Sequence, residues 1–550
     1  MAAERETMRL PKRMTYSLLL SLLALNFVLR YPWLPHEAGF DGFIFHGMTR
    51  SLVNDGYASW ILNPLSYLGL YPLSQPSGSV FLLGDVSQVG GVPIEAGIVV
   101  LDWMIVVVGM MASFFLSMVV RRDEGLAVLV AALFSLAPRF VLDLLWAVPT
   151  RTLFAALVPL FLLLLLRWYA APNLRWFGLI ITTLLLMMSA HRLTALMAAI
   201  AVGYIITAIL MVFSQTLRIR YGSRVLSRPF RRASSLLLLV SFFLLSSVLL
   251  VVGVLASYTS GRVEFGTGIV LQLSNLAVSL ARSVGFLVAL VPLGVVVVYR
   301  LRGKDFREPF LLMILLVLIP TLSLRQYTGY YIISLTAIFI GMGLWWVIQR
   351  LRKRSLRVAV VATAIAVTIV SSYLVVGINL DLEAYADDAS YTHGLYVLHR
   401  THGTIVSNDG ILGSELFMVS AHPYLPVGGA TTAFQSPELL IFGFVNRSQL
   451  DIYQLPISSL TLEDDSPFVL RNVQAEADWA ALLAYSPDAV PQNLVDVYHP
   501  QYLAENWASS GGYSAYGKTY PSPYIAGVHA TRYKVFEIDG QTLWYVGASS

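Results

Sequence analysis

Eleven apolar runs dictate what this chain can become. Each is close to the length that crosses about 30 Å of hydrocarbon as a helix. They lie near residues 14–31, 94–119, 125–147, 151–168, 176–190, 193–213, 234–256, 283–299, 309–324, 329–349 and 358–379. A backbone in hydrocarbon must satisfy its own N–H and C=O groups, which confines such runs to helices. With 57% hydrophobic and 13% charged residues and a mean hydropathy of +0.68, the chain has too little polar surface to cover a water-soluble globule. The expectation is a polytopic α-helical membrane protein of about 11 transmembrane helices. The first run leads directly into others and lacks a small-residue cleavage site, so it reads as a retained helix and not a signal peptide.

Positive charge sets the orientation. With the N-terminus inside, 23 lysines and arginines fall on the cytoplasmic side, in clusters such as Arg218 to Arg232 and Arg350 to Arg357, against 8 on the other side. An odd span count then places residues 380–550 outside, giving an N-in/C-out protein of the plasma membrane. The net charge of +5 hides a split, since residues 380–550 carry 18 acidic against 6 basic residues and the rest of the chain is at +17. That basic excess follows from membrane topology, so no nucleic acid partner is expected. An amphipathic segment near 266–281 reads as an outside interfacial or re-entrant helix.

Two domains are expected: a transmembrane domain over 1–379, with a long first outside loop at 32–93, and an extracytoplasmic soluble mixed α/β domain over 380–550. In the latter, Thr404–Ser407 reads as a strand before an Asn408-Asp409-Gly410 turn, and Ala475 to Tyr485 has a helical pattern. Tyr533 to Ile538, Asp539-Gly540 and Gln541 to Val546 form a hairpin signal. There is no cysteine, which excludes disulfides, thiol nucleophiles and thiolate metal sites, so any metal must be held by oxygen or imidazole. No zinc-ligand spacing, phosphate-binding glycine loop or internal repeat occurs. Asn446-Arg447-Ser448 matches a glycosylation sequon.

Long ordered loops tend to be functional, and the first outside loop is unusually rich in chemistry. It runs Pro35-His36-Glu37, Gly39-Phe40-Asp41, His46 and Arg50, then Gly56-Tyr57-Ala58-Ser59-Trp60. Asp41, His46 and Arg50 fall at helical spacing, which predicts a surface helix carrying them on roughly one side. Tyr31, Trp33, Tyr57, Trp60, Tyr67 and Tyr71 suit an interfacial aromatic belt. Asp143 and Arg139 lie four apart toward the outer end of the third run, where a charge costs roughly 2.5–3.5 kcal/mol on insertion scales. They read either as a structural ion pair or as a second acidic position of a site. Arg151, His191-Arg192 and Arg325 cap other spans on the outer side, as phosphate-binding cations or as side chains snorkelling to headgroups. Asp85 reads as a solvated loop residue, and Asp102 as a buried partner for an arginine.

An outer first loop with an acidic residue, a nearby histidine and arginine, and a Gly-Tyr-x-x-Trp stretch resembles the GT-C membrane glycosyltransferases. These take sugar from polyprenyl-phosphate carriers and include oligosaccharyltransferase subunits, protein O-mannosyltransferases and aminoarabinose transferases. The resemblance implies inverting transfer from a polyprenyl-phosphate-linked donor to an extracytoplasmic glycan, protein or lipid acceptor. Asp41 would then be base or metal ligand and Asp143 a second carboxylate or metal ligand, with Arg325, Arg192, Arg151, Arg139, His191, His46 and Glu37 binding substrate. A divalent cation such as Mg or Mn is a candidate cofactor. This sequence departs from the pattern in two places. Glu505-Asn506-Trp507-Ala508-Ser509 is no Trp-Trp-Asp motif, which argues against a standard sequon-reading oligosaccharyltransferase. No Asp-Glu pair occurs in the first loop, where Glu37 and Asp41 stand four apart. The alternatives are a transporter or flippase of lipid-linked glycan, or a non-enzymatic membrane scaffold with an outer binding domain.

Overall fold

A computed structural model describes residues 11–55, 78–191, 200, 203–211, 213, 280–300, 306–324, 329–380, 385–422, 424–425, 479–506, 512–515 and 518–547. The chain forms two compact units. One comprises Met1–Arg30, Trp103–Leu144 and Arg151–Ile378, and the other Tyr31–Asp102, Leu145–Thr150 and Asn379–Ser550.

The first unit is helical, and its helices fall where the apolar runs are. Lys12–Leu29, Ile94–Val120, Thr150–Ala170, Leu174–Ala190, Arg307–Leu324, Gly329–Ile348 and Arg354–Leu380 begin and end within a few residues of the predicted spans. The eighth run forms a 3₁₀ turn, Phe286–Leu290, leading into the helix Val291–Arg300. Residues 203–211 of the sixth run are helical. The seventh run and nearly all of the amphipathic segment lie outside the described residues. Five described helices are long and apolar enough to cross a membrane. Gly329–Ile348 is buried along most of its length and apolar on every side, as a helix enclosed by other helices must be. Lys12–Leu29 and Arg354–Leu380 instead leave Leu20, Val28, Val358 and Val370 exposed, a surface that suits lipid and not water.

Val291–Arg300 packs on Gly329–Ile348 with almost no gap. A Cβ added at Gly294 would lie 1.9 Å from the Phe339 carbonyl oxygen, so the two backbones meet because that position has no side chain. Gly294→Val is expected to push the helices apart and lower the thermal midpoint of the detergent-solubilised protein sharply, by the equivalent of about 3 kcal/mol, at the upper end of the overpacking range. An unchanged midpoint would contradict this packing.

The third run is not one helix. It forms Glu124–Ser135, stops, and restarts as the five-residue helix Pro138–Leu142. Pro138 explains the break, because proline has no N–H to continue the ladder and forces its predecessor out of helical geometry. Ala137 accordingly sits at φ −60°, ψ 136°. A break at this depth frees carbonyls that must find donors. Arg30, only 2% exposed, supplies most of them. Its Nη2 donates to the carbonyls of Ser135 (2.7 Å) and Phe140 (3.2 Å), and its Nη1 donates to Asn26 Oδ1 (2.6 Å). Asn26 in turn donates to Ser135 Oγ at 3.0 Å, and Ser372 Oγ donates to the Leu136 carbonyl at 2.6 Å.

The second unit holds a five-stranded mixed sheet in the order β2-β1-β3-β7-β6. Its strands are β1 (Thr404–Ser407), β2 (Tyr424–Leu425), β3 (Pro500–Asn506), β6 (Tyr533–Ile538) and β7 (Gln541–Tyr545), while β4 (Gly512–Ala515) and β5 (Lys518–Pro521) form a separate pair. The predicted hairpin is present. Asp539 and Gly540, at φ 39° and 82°, make a two-residue turn with both residues left-handed, the geometry that matches strand twist. Asn408-Asp409-Gly410 does not turn the chain into another strand. The Asp409 side chain accepts from the Ile411 N–H at 3.0 Å and so caps the helix Gly410–Ser420.

That helix and the sheet bury a core of Ile405, Leu412, Leu416, Phe417, Ala504 and Leu543, which also takes in Ile44 and Met48 of the helix Phe40–Asp55 and Val80 of the helix Gly78–Gly90. The helices Phe40–Asp55 and Gly78–Gly90 therefore pack with the C-terminal region. The other sheet face covers Trp479, Leu482, Leu494, Tyr524 and Ile525.

Two buried titratable groups lie under the sheet. Burial pushes the Glu415 carboxyl up to about 8, against a hydrogen bond from Ser390 and with Asp387 and Asp409 adding repulsion. Burial holds His393 down at about 4, offset in part by Gln541. An acid whose folded pKa is raised keeps its proton in the native state after the unfolded chain has lost it, so stability falls as pH rises from the unfolded value toward 8. His393 acts oppositely, adding stability as pH rises from about 4 to its unfolded value near 6.5. Above that, of these two groups only Glu415 still changes stability. The thermal midpoint is expected to decline between about pH 6.5 and 8, and Glu415→Gln should flatten that decline.

Candidate active site

The acidic first loop becomes the helix Phe40–Asp55, entered through Gly39 at φ 93°. Asp41 lies in its first turn, where the helix dipole favours a carboxylate, and is exposed. The expectation that Asp41, His46 and Arg50 share one side does not hold. His46 is fully buried, Arg50 is half-buried, and five residues of helix rotate His46 well away from Asp41.

Glu37 and His46 are both 0% exposed and face each other, with Glu37 Oε2 2.8 Å from His46 Nδ1. Arg50 Nη2 lies 3.3 Å from His46 Nε2. A guanidinium can only donate, so Nε2 accepts and the ring proton sits on Nδ1, donated to Glu37. Arg50 Nε also donates to the Met418 carbonyl at 3.1 Å, tying the Asp41 helix to Gly410–Ser420. Glu37 is fixed from its backbone as well, since its carbonyl accepts from the Ala386 N–H at 3.1 Å.

His36 sits beside this group, stacked on Tyr391 with ring centroids 4.1 Å apart. Its Nδ1 lies 2.8 Å from Glu95 Oε1 and its Nε2 3.2 Å from Asp388 Oδ1. Burial, then the Glu95 charge, push the Tyr391 phenol upward, while Arg50 pulls it back and shares a hydrogen bond with it. The segment behind Asp41 is equally constrained. Trp146 holds φ 53°, rare for a bulky residue. It is kept there by the Ala38 N–H donating to its carbonyl at 3.1 Å and by its own indole donating to the Glu95 carbonyl at 3.3 Å.

A second cluster forms in the helical unit. Asp143 follows the short helix Pro138–Leu142 and accepts a hydrogen bond from the Tyr330 hydroxyl. The Arg139 guanidinium lies over the Tyr330 ring, 4.3 Å from its centroid. Asp143 and Arg151 both lie within electrostatic reach of Arg139. His191 is buried, its ring centroid 6.4 Å from that of Phe154. Arg192, Arg325 and the Gly56 to Trp60 stretch lie outside the described residues. Asp85 is exposed but on the helix Gly78–Gly90 and not in a loop, and Asp102 is buried.

Among the described residues, no three His, Asp or Glu side chains gather as a metal-ligand group. Asp143 stands beside Arg139, with Arg151 in reach of the same guanidinium, and accepts from a phenol. That is a poor setting for a divalent cation and a good one for an anion. Tyr330, Tyr391 and Glu95 were not singled out from the sequence. The one available signal for Tyr330 was a tyrosine pair at the start of an apolar run.

No family model matches this sequence, and no curated protein matches it. Among solved structures, the Archaeoglobus fulgidus oligosaccharyltransferase tethered with an acceptor peptide is similar, with TM-score 0.56 and 12% identity over 90% of this chain and 69% of that one. ArnT from Cupriavidus metallidurans, bound to undecaprenyl phosphate, gives TM-score 0.51 at 12% identity and covers 98% of both chains. The mycobacterial arabinofuranosyltransferase AftD gives 0.51 at 16% identity over 99% of this chain and 42% of its own. Identities this low speak to fold alone, and what they show is that the chain shares the fold of these three structures.

Proposed function

We propose that this protein is an integral-membrane glycosyltransferase, moving a sugar from a polyprenyl-phosphate-linked donor to an extracytoplasmic glycan, protein or lipid acceptor with inversion. In this reading eleven spans run with the N-terminus inside, and residues 380–550 lie outside the plasma membrane and orient the acceptor. An acceptor hydroxyl or amide attacks the anomeric carbon and its proton passes to Asp41. The bond from that carbon to the phosphate oxygen breaks, and polyprenyl phosphate leaves. The leaving charge needs fixed cations in a low-dielectric setting, a role assigned to Arg139 and Arg151 with Arg192, Arg325 and His191. Asp143 is the second carboxylate. Glu37 and His46, enclosed and turned to each other, serve by holding the Asp41 helix.

The observation that carries this reading is an exposed carboxylate on a rigidly anchored first-loop helix in a chain of this fold. The undecaprenyl phosphate in the ArnT structure supports a lipid carrier. Purified protein incubated with polyprenyl-phosphate-linked sugars and a membrane extract as acceptor source should release free polyprenyl phosphate, read by mass spectrometry. Translocation of the intact donor in proteoliposomes, without cleavage, would point to a flippase instead.

A further inference from the structure

Tyr330 is the second residue of the helix Gly329–Ile348, and its hydroxyl donates to the carboxylate of Asp143, 187 positions earlier in the chain. The residue is 1% exposed. A phenol on the wall of an apolar helix bundle needs a hydrogen-bond partner. This one finds an ionisable side chain.

The surroundings constrain this ring further. The Arg139 guanidinium covers its face at 4.3 Å. Gly329, just before it, leaves room for that guanidinium, since a Cβ there would lie 3.3 Å from Arg139 Nη1 and 2.2 Å from Ser283 Oγ. On the other side Tyr331, 0% exposed, packs edge-on against Phe154 with centroids 4.9 Å apart and locks the start of the helix. Arg151 lies within electrostatic reach of both Arg139 and Tyr330. One ring thus touches the carboxylate by its hydroxyl and the guanidinium by its face.

We infer that Tyr330 is a positioning residue for sugar transfer: its hydroxyl fixes the Asp143 carboxylate and its ring fixes the Arg139 guanidinium in one geometry. This rests on Asp143 acting in the reaction proposed above. Asp143 follows a five-residue helix, too short to hold a side chain by itself. A charge-assisted hydrogen bond from a buried donor supplies the missing constraint. Tyr330 touches no reacting atom, and its effect passes through Asp143.

The test is a double-mutant cycle on the purified full-length protein, with kcat and KM measured for the polyprenyl-phosphate sugar. Tyr330→Phe keeps the ring under Arg139 and the buried volume, so the thermal midpoint serves as its folding control. Its kcat is expected to fall about 10-fold or more, the size of one charge-assisted hydrogen bond, with KM unchanged. Asp143→Asn should fall further. The pair Asp143→Asn/Tyr330→Phe should match Asp143→Asn alone, because a residue acting through Asp143 has nothing left to position. A wild-type kcat in Tyr330→Phe, or losses that multiply independently, would overturn the inference while leaving the proposed reaction standing. Wild-type transfer by Asp143→Asn would overturn the inference together with Asp143's part in the reaction, while the transfer itself would stand.

Discussion

Asp41→Asn is expected to lower kcat for sugar transfer by about 10²–10⁴-fold, the range for loss of a general base. The amide is isosteric but cannot take the acceptor's proton. Because the proton moves only in the transition state, kcat and kcat/KM should fall together and KM for the donor should stay put. Structure should survive, since Asp41 is exposed and the helix-dipole contribution of its charge is about 0.3–1 kcal/mol. Initial rates beside a thermal midpoint in detergent check both halves. A folded Asp41→Asn protein with wild-type rates would remove Asp41 from the chemistry.

The second large effect concerns stability. Glu37→Leu leaves His46 Nδ1–H without an acceptor where both residues are 0% exposed. Stranding a buried neutral donor costs about 1–3 kcal/mol, a large share of the margin of a marginally stable protein. Replacing both polar groups is a different experiment. In Glu37→Leu/His46→Phe no donor is stranded between the two positions, and half-buried Arg50 can turn its Nη2 to solvent. The double variant should therefore recover most of the lost midpoint. If it melts as low as Glu37→Leu alone, the pair is not the element that holds this helix.

What the sequence revealed depended on how local each cause was. Most of the described helices were legible because length and apolarity are properties of one segment, and the hairpin was legible because Asp539-Gly540 suits two left-handed residues in a row. The break at Pro138 was legible in principle, yet the surrounding apolar run outweighed a single proline. Asp409 was read as a turn former when its side chain caps a helix, and those two uses share the same Asn-Asp-Gly letters. Asp41 and Asp143 stood out as charges beside greasy spans, but their surroundings did not. The His46 to Glu37 contact depends on the turn at Gly39 folding the chain back over nine residues, and the Tyr330 to Asp143 contact spans 187. No periodicity encodes either one.

The break at Pro138 also bears on how this protein is made. Its open carbonyls are met by Arg30 and Ser372, which come from the first and last of the eleven runs. During synthesis the third span emerges with Arg30 already present and Ser372 more than two hundred residues away. The kinked form can settle against the first helix at once, whereas the Leu136 carbonyl must wait until Ser372 has been made. The order of synthesis thus sets an order of assembly, with an early pair of spans that holds the kink and a final span that completes it.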